Sequence, residues 1–141
     1  ISLDTNWDPS RAWRGLDELL GQVDVFLPNQ NEARAISGAR TPEDALHVLS
    51  RKCRVVALKC GREGALARRG DAAARAAALP VQVVDTVGAG DSFDAGFLFG
   101  WLNGWSLEKA LALAAACGSL STRAAGGTSA QPSLDEAMQY L

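Results

Sequence analysis

The sequence contains little histidine, few cysteines and no surplus of positive charge. His47 is the only histidine in 141 residues, and it lies in a segment typical of a surface helix. This excludes a histidine triad, a metal site with two histidine ligands and a good histidine general base. The three cysteines, Cys53, Cys60 and Cys117, are odd in number and lack metal-ligand spacing, which favours reduced, mostly buried thiols. Any proton chemistry must therefore use a carboxylate or a lysine.

Charge and hydropathy exclude further classes of protein. The 14 Lys and Arg residues face 16 Asp and Glu, a net charge of −2 without a basic block, which argues against a nucleic-acid partner. No apolar run approaches the roughly 20 residues of a membrane span, and the first residues lack a signal-peptide pattern. With 48% hydrophobic residues the chain can fill a core. We expect one globular, cytoplasmic domain without a membrane partner.

The first residues have the pattern of a buried strand. The chain opens with Ile1-Ser2-Leu3-Asp4, with neither a methionine nor a lead-in segment. A domain that opens in the middle of a strand is expected to be only part of a domain.

Strands and helices alternate along the first 60 residues. Predicted strands occupy 1–4, 23–27 and 54–60, and predicted helices occupy 11–22, 29–37 and 41–52. Gly38 closes the second helix, whereas Thr41 and Pro42 begin the third as its cap and first-turn proline. This order with short loops implies a parallel sheet covered by helices.

The middle of the chain is ambiguous. A strand is predicted over 65–69, before the turn at Gly70-Asp71. The alanines of 72–79 favour a helix by propensity, but this segment is short and the apolar run 81–84 follows Pro80, so we predict strands instead. Helices are then predicted at 91–103, 107–123 and 134–141.

One segment has the pattern of a phosphate cradle. It reads Asp85-Thr86-Val87-Gly88-Ala89-Gly90-Asp91-Ser92-Phe93, which predicts a strand end, a small-residue turn and a helix N-terminus. Gly88 and Gly90 leave backbone amides open to a ligand, and the helix dipole favours an anion there. Asp91 would repel an anion, but it suits a base that orients and deprotonates an attacking hydroxyl. The alternative is a helix cap after a tight turn.

Three other segments carry polar or small residues at predicted turns. Asn29 and Glu32, three apart at a helix start, suit a hydrated Mg²⁺, although a capping box would use the same pair. The segment 58–65 leaves a strand through a glycine turn, which an ordinary hairpin would also explain. A loop of small residues occupies 122–132, after the buried helix.

These four segments, in this order and spacing, resemble the C-terminal half of a ribokinase-like sugar kinase of the PfkB carbohydrate kinase family. The Asp-Thr-x-Gly-Ala-Gly-Asp-x-Phe segment is similar to a specific signature of that family. The resemblance covers essentially the whole chain, and it includes Asp4-Thr5-Asn6, which looks like the strand end found in many of these kinases.

The resemblance implies a fold and an activity. The implied fold is α/β, a doubly wound, mostly parallel sheet with helices on both faces and a β-hairpin. It also implies a partial domain, lacking the N-terminal half and the lid. The implied reaction is ATP-dependent phosphorylation of a sugar hydroxyl, with Mg²⁺ as cofactor, a sugar-like substrate as partner and a possible homodimer of the intact enzyme. A nucleoside, phosphosugar or vitamin kinase, or an inactive nucleotide-binding fragment, is the alternative.

The resemblance also implies catalytic residues. Asp91 corresponds to the base for the acceptor hydroxyl. Gly88, Ala89 and Gly90 correspond to the anion hole that stabilises the transferring phosphoryl group.

Binding residues are implied in the same way. Asn29 and Glu32 match the motif that organises phosphate and Mg²⁺, with Glu32 acting through water. Lys59, Gly61 and Gly64 fall on the strand and turn that border the nucleotide.

A monovalent cation, K⁺, is implied for some members of the family. Asp85 and the Val87 carbonyl, with the loop around Gly126, fall at that position. Gly126 is also expected to border the nucleotide.

Overall fold

The computed structural model describes residues 1–141, which form five strands and six helices. The strands are β1 (Ser2–Leu3), β2 (Val25–Phe26), β3 (Val55–Lys59), β4 (Ala65–Arg69) and β5 (Ala72–Ala76). The helices are α1 (Leu16–Leu20), α2 (Gln30–Ser37), α3 (Pro42–Leu49), α4 (Ala89–Leu102), α5 (Leu107–Ser121) and α6 (Leu134–Met138). None of the helices is long and apolar enough to cross a membrane.

The strands form one mixed sheet in the order β1-β2-β3-β4-β5. Strands β1, β2 and β3 pair in parallel, whereas β4 is antiparallel to both β3 and β5. Only β4 therefore runs against the common direction. The carboxyl ends of β1, β2 and β3 meet at one edge of the sheet, the place where open α/β sheets hold their ligands.

Side chains of the sheet alternate between two buried cores, as the two-residue period of a strand requires. In β3, Val56 and Leu58 pack on the face covered by α1, α2 and α3, while Val55 and Ala57 pack on the face covered by α4 and α5. Strand β3 is thus covered on both faces, which explains its continuous apolar run.

The helix starts follow the capping residues of the sequence. The Thr41 side chain accepts the Asp44 N–H at the start of α3, and Ser106 and Ser133 do the same for α5 and α6. Gly38 ends α2 in the left-handed conformation, at φ 70°, where a side chain would be strained.

Helices α4 and α5 pack closely because α4 carries glycines on the shared face. A Cβ at Gly96 would lie 3.0 Å from the Ala114 Cα, and one at Gly100 would lie 2.8 Å from the Ala110 Cα. Any side chain at these glycines would push the helices apart.

Two sequence predictions are corrected by the structure. Residues 72–76 form the predicted strand, but 81–84 do not, because the Val84 N–H donates to the Thr122 carbonyl instead of to a neighbouring strand. The segment before Asp85 is therefore a loop and not a strand end. Helix α1 covers only Leu16–Leu20, since Arg11 and Trp13 adopt positive φ values of 55° and 45° that interrupt a helix.

Candidate active site

A groove lies along the carboxyl edge of the parallel strands. Its volume is about 970 Å³. Seven of the residues predicted from the sequence line it, namely Asn29, Glu32, Lys59, Gly61, Gly64, Ala89 and Gly90. The topology thus brings β2, β3, the turn after β3 and the start of α4 to one place.

The turn before α4 is fixed by a single carboxylate. The Val87 N–H donates to Asp85 Oδ1 and the Gly126 N–H donates to Asp85 Oδ2, both at 3.0 Å. These hydrogen bonds hold the pKa of Asp85 below its ordinary value, and the bond from Gly126 has the larger effect. Asp85 therefore joins the turn to the loop at 122–132, and neither Asp85, Val87 nor Gly126 lines the groove.

Gly88 allows that loop to approach the turn. Gly88 caps α4 with φ 75°, and a Cβ there would lie 2.5 Å from the Gly127 carbonyl oxygen. Only glycine fits this position, because the left-handed backbone and the close carbonyl both exclude a side chain.

The N-terminus of α4 presents unused hydrogen-bond donors. The N–H groups of Gly88, Gly90 and Asp91 make no hydrogen bond within the protein, while the Ala89 N–H donates to the Thr86 carbonyl at 3.2 Å. Gly90 lines the groove, and a Cβ there would meet only the Lys59 side chain. Of the three residues predicted to form an anion hole, Gly88 and Gly90 thus have free amides and Ala89 does not.

Asp91 stands in the first turn of α4, next to these amides. Its side chain is exposed and makes no hydrogen bond or ion pair. The helix cap is Gly88, so the alternative interpretation of Asp91 as the cap is wrong. An unpaired carboxylate beside free amides suits a base acting on a group bound at those amides.

Asn29 and Glu32 form the capping box of α2. The Asn29 side chain accepts the N–H groups of Asn31 and Glu32, and Glu32 Oε2 accepts the Asn29 N–H at 3.0 Å. Glu32 is buried, and this burial raises the pKa of its carboxyl group. Glu32 Oε1 makes no hydrogen bond in the protein, so the cap leaves one oxygen available to a ligand in the groove.

Glycines shape the turn after β3. Gly61 and Gly64 adopt φ values of 58° and 88°. A Cβ at Gly64 would overlap the Ala76 carbonyl, so this glycine permits close packing on β5. Both glycines line the groove, and Gly64 also has this structural role.

Lys59 ends β3 inside the groove. Its Nζ donates to Asp4 and to Asp94, at 2.9 Å and 3.1 Å. Sequence reasoning missed Asp94 altogether. The available signal was its position one helical turn after Asp91, which places it near the start of α4.

The groove fits a phosphate group and a hydrated cation. The free amide of Gly90 suits a phosphate oxygen in the groove, and the space before Gly90 is closed only by a flexible lysine. Gly88 and Asp91 lie near Gly90 in the chain but do not line the groove. The free oxygen of Glu32 is the kind of ligand that a water of Mg²⁺ would contact.

The family follows from a match over nearly the whole chain. The model of the pfkB family carbohydrate kinases matches residues 1–134. The chain belongs to this family. As a pfkB-family chain it has the ribokinase-like α/β fold that the sequence led us to expect.

Two curated relatives cover almost all of this pfkB-family chain. An ATP-dependent 6-phosphofructokinase of Thermoanaerobacterium thermosaccharolyticum is 35% identical over 96% of the chain and 44% of the relative. A 2-dehydro-3-deoxygluconokinase of Bacillus subtilis is 34% identical over 100% of the chain and 46% of the relative. The pfkB-family chain thus spans less than half the length of these relatives.

A solved structure with bound nucleotide has the same fold. A candidate ribokinase II from E. coli, in complex with ATP and Mg²⁺, superposes on 99% of the pfkB-family chain with a TM-score of 0.87 and 27% identity. The chain covers 47% of that protein.

Proposed function

We propose that this chain supplies the catalytic and nucleotide-binding half of an ATP-dependent kinase for a sugar hydroxyl. The observation that carries this proposal is the unpaired carboxylate of Asp91 beside the free amides of Gly88 and Gly90. Family membership and the ATP complex of a structural relative support it.

In this reaction the acceptor hydroxyl attacks the terminal phosphorus of ATP, the bond from that phosphorus to the bridging oxygen breaks, and ADP leaves. Asp91 orients the hydroxyl and takes its proton, and a weak base suffices because the transition state is loose. The amides of Gly88 and Gly90 stabilise the charge on the transferring group. The Ala89 amide contributes only if its bond to Thr86 opens.

Asn29 and Glu32 hold the metal end of the nucleotide in this proposal. Bound Mg²⁺ would offset the negative charge of the phosphates. Asn29 sets the start of α2 and the direction of Glu32, whose free Oε1 would hold a water of the bound Mg²⁺. Lys59, which pairs with Asn29 in a β-bridge, borders the phosphates together with Gly61 and Gly64.

A monovalent cation site is proposed where the turn meets the loop at 122–132. The Val87 carbonyl lies 3.4 Å from the position of a Cβ on Gly127, next to the Asp85–Gly126 bond. We expect the full-length protein to work faster with K⁺ than with an equal concentration of a large organic cation. Equal rates would remove the cation from the proposal.

The test separates binding from transfer. Calorimetric titration with Mg-ATP measures binding, and a coupled assay with a panel of sugars measures transfer by the full-length protein. We expect both. A full-length protein that binds Mg-ATP and phosphorylates nothing would favour the alternative of an inactive nucleotide-binding protein.

A phosphosugar kinase is the second candidate. It is favoured because the 6-phosphofructokinase is 35% identical over nearly the whole chain. Nucleoside and vitamin acceptors belong in the same panel. A clear preference for a phosphorylated acceptor would decide for the second candidate.

A further inference from the structure

Two carboxylates share the ammonium group of Lys59. Nζ lies 3.1 Å and 3.2 Å from the two oxygens of Asp94, and 2.9 Å from Asp4 Oδ2. The side chains of Lys59 and Asp94 are only 14% and 13% exposed, whereas that of Asp4 is 36% exposed. Burying two charged groups costs desolvation energy, which is offset only when the groups are well hydrogen-bonded to each other. The short distances between Lys59 and Asp94 meet this condition.

The two carboxylates differ in their access to the groove. Asp4 lines the groove together with Lys59, and Asp94 does not. Asp94 is therefore the buried partner of the ammonium, and Asp4 is the partner that a ligand in the groove meets.

The ammonium faces the start of α4. Nζ lies 3.7 Å from the position of a Cβ on Gly90, whose amide is free. The positive charge and the amide thus point to the same part of the groove, where an anionic oxygen is stabilised. Asp4 places a carboxylate beside this ammonium, and its negative charge opposes an anion as long as it stays there.

We propose that Asp94 is a positioning residue that fixes Lys59 at the α4 N-terminus, and that the nucleotide phosphate replaces Asp4 on the Lys59 ammonium. This inference rests on the proposed nucleotide site. It assigns opposite effects to the two carboxylates: loss of Asp94 frees the ammonium to move away, and loss of Asp4 leaves it open to phosphate.

The experiment compares ATP with adenosine, which lacks phosphate. Calorimetry is run on the full-length protein without divalent metal. A metal ion held near Glu32 in the same groove would also bind the phosphates and would mask the contribution of Lys59. We expect D94N and K59M each to weaken ATP binding about tenfold, a loss typical of one charged hydrogen bond. D4N is expected to strengthen ATP binding severalfold. Adenosine binding stays unchanged in all three.

Two controls separate positioning from a merely structural ion pair. K52M removes a lysine of the exposed Lys52–Asp17 pair and is expected to bind ATP like the wild type. The double variant K59M/D94N is expected to bind ATP no more weakly than K59M alone, because Asp94 acts only through Lys59.

The outcomes distinguish the inference from the function on which it rests. If the wild type binds neither ATP nor adenosine, the proposed nucleotide site fails. If it binds ATP while D94N and K59M bind equally well, or if D4N and D94N shift affinity in the same direction, the inference is wrong. Should D94N fail to fold, the side-chain ¹⁵N signal of Lys59 in the wild type decides. It must shift with ATP and not with adenosine.

Discussion

Asp91 owes its chemical availability to the glycines that precede it. Because Gly88 caps α4 through its backbone, no carboxylate is used at the helix start. Asp91 thus stays unpaired at a point where a cap would otherwise be expected.

We expect D91N in the full-length protein to lower kcat about a hundredfold or more while Mg-ATP affinity barely changes, since only the proton acceptor is lost. Steady-state kinetics and calorimetry measure the two effects. The matched control is D71N, at an exposed turn away from the groove, which should leave both values unchanged. Undiminished turnover in D91N would exclude Asp91 as the base.

Asp94 makes stability depend on pH. Burial raises its pKa from 3.8 to about 7, Asp4 adds to the rise and Lys59 opposes it. The folded state then binds this proton more tightly than the unfolded state, so the contribution of Asp94 to stability falls as pH rises from about 4 to about 7.

We therefore expect the Tm of the wild type to fall more between about pH 5 and about pH 8 than the Tm of D94N. Thermal unfolding at several pH values measures this. Parallel profiles of the two proteins would contradict the shift.

At this scale the sequence predicted the types of residue but not their partners. Spacing draws attention to Gly88, Asp91 and the Asn29–Glu32 pair, but their predicted roles come from the resemblance to the family. Asp94 was missed because its significance depends on Lys59, 35 positions away, which no local pattern records.

Helix α4 packs closely against α5 because two glycines of α4 carry no side chain at the contact. Gly96 and Gly100 lie one turn apart and face Ala114 and Ala110. The approach of the helices fixes the position of the α4 N-terminus, and so of the candidate site.

We expect Gly100→Ala to destabilise the protein by roughly 1–3 kcal/mol through overpacking, less up to about 1 kcal/mol gained in helix propensity. Chemical denaturation measures the difference. The control is Gly21→Ala, since a Cβ there meets only the Glu18 carbonyl at 3.7 Å. An unchanged or higher stability for Gly100→Ala would show that α5 can shift to accommodate the added methyl group.

The elements were predictable where the local pattern was strong. The caps at Thr41 and Ser133, and the strand over 65–69, follow from composition and spacing. The strand predicted from the apolar run at 81–84 is wrong. The Val84 N–H bonds to the carbonyl of Thr122 at the end of α5, a partner that the local sequence does not reveal.

At the scale of the whole molecule, the proposed nucleotide site lies on a chain that forms only part of the relatives' length. Strand β1 is an edge of the sheet, and the chain spans less than half the length of its curated relatives. We infer that the acceptor hydroxyl is placed by residues outside this half.

We therefore expect the 141-residue chain to bind Mg-ATP and to phosphorylate no sugar, whereas the full-length protein does both. Calorimetry and a coupled kinase assay on the two proteins measure this. Robust turnover by the 141-residue chain would show that it positions the acceptor itself.

The hydrogen bond between Asp85 and Gly126 joins residues 41 positions apart. The candidate site therefore cannot form from a local segment alone. A peptide with the glycine turn would contain the same residues but would lack the loop at 122–132 that holds the turn in place. If the groove binds nucleotide as proposed, the measured nucleotide affinity reports whether this loop is correctly folded. A variant that loosens the loop should lose ligand before it loses secondary structure, and transplanting the turn into another scaffold should not transfer binding.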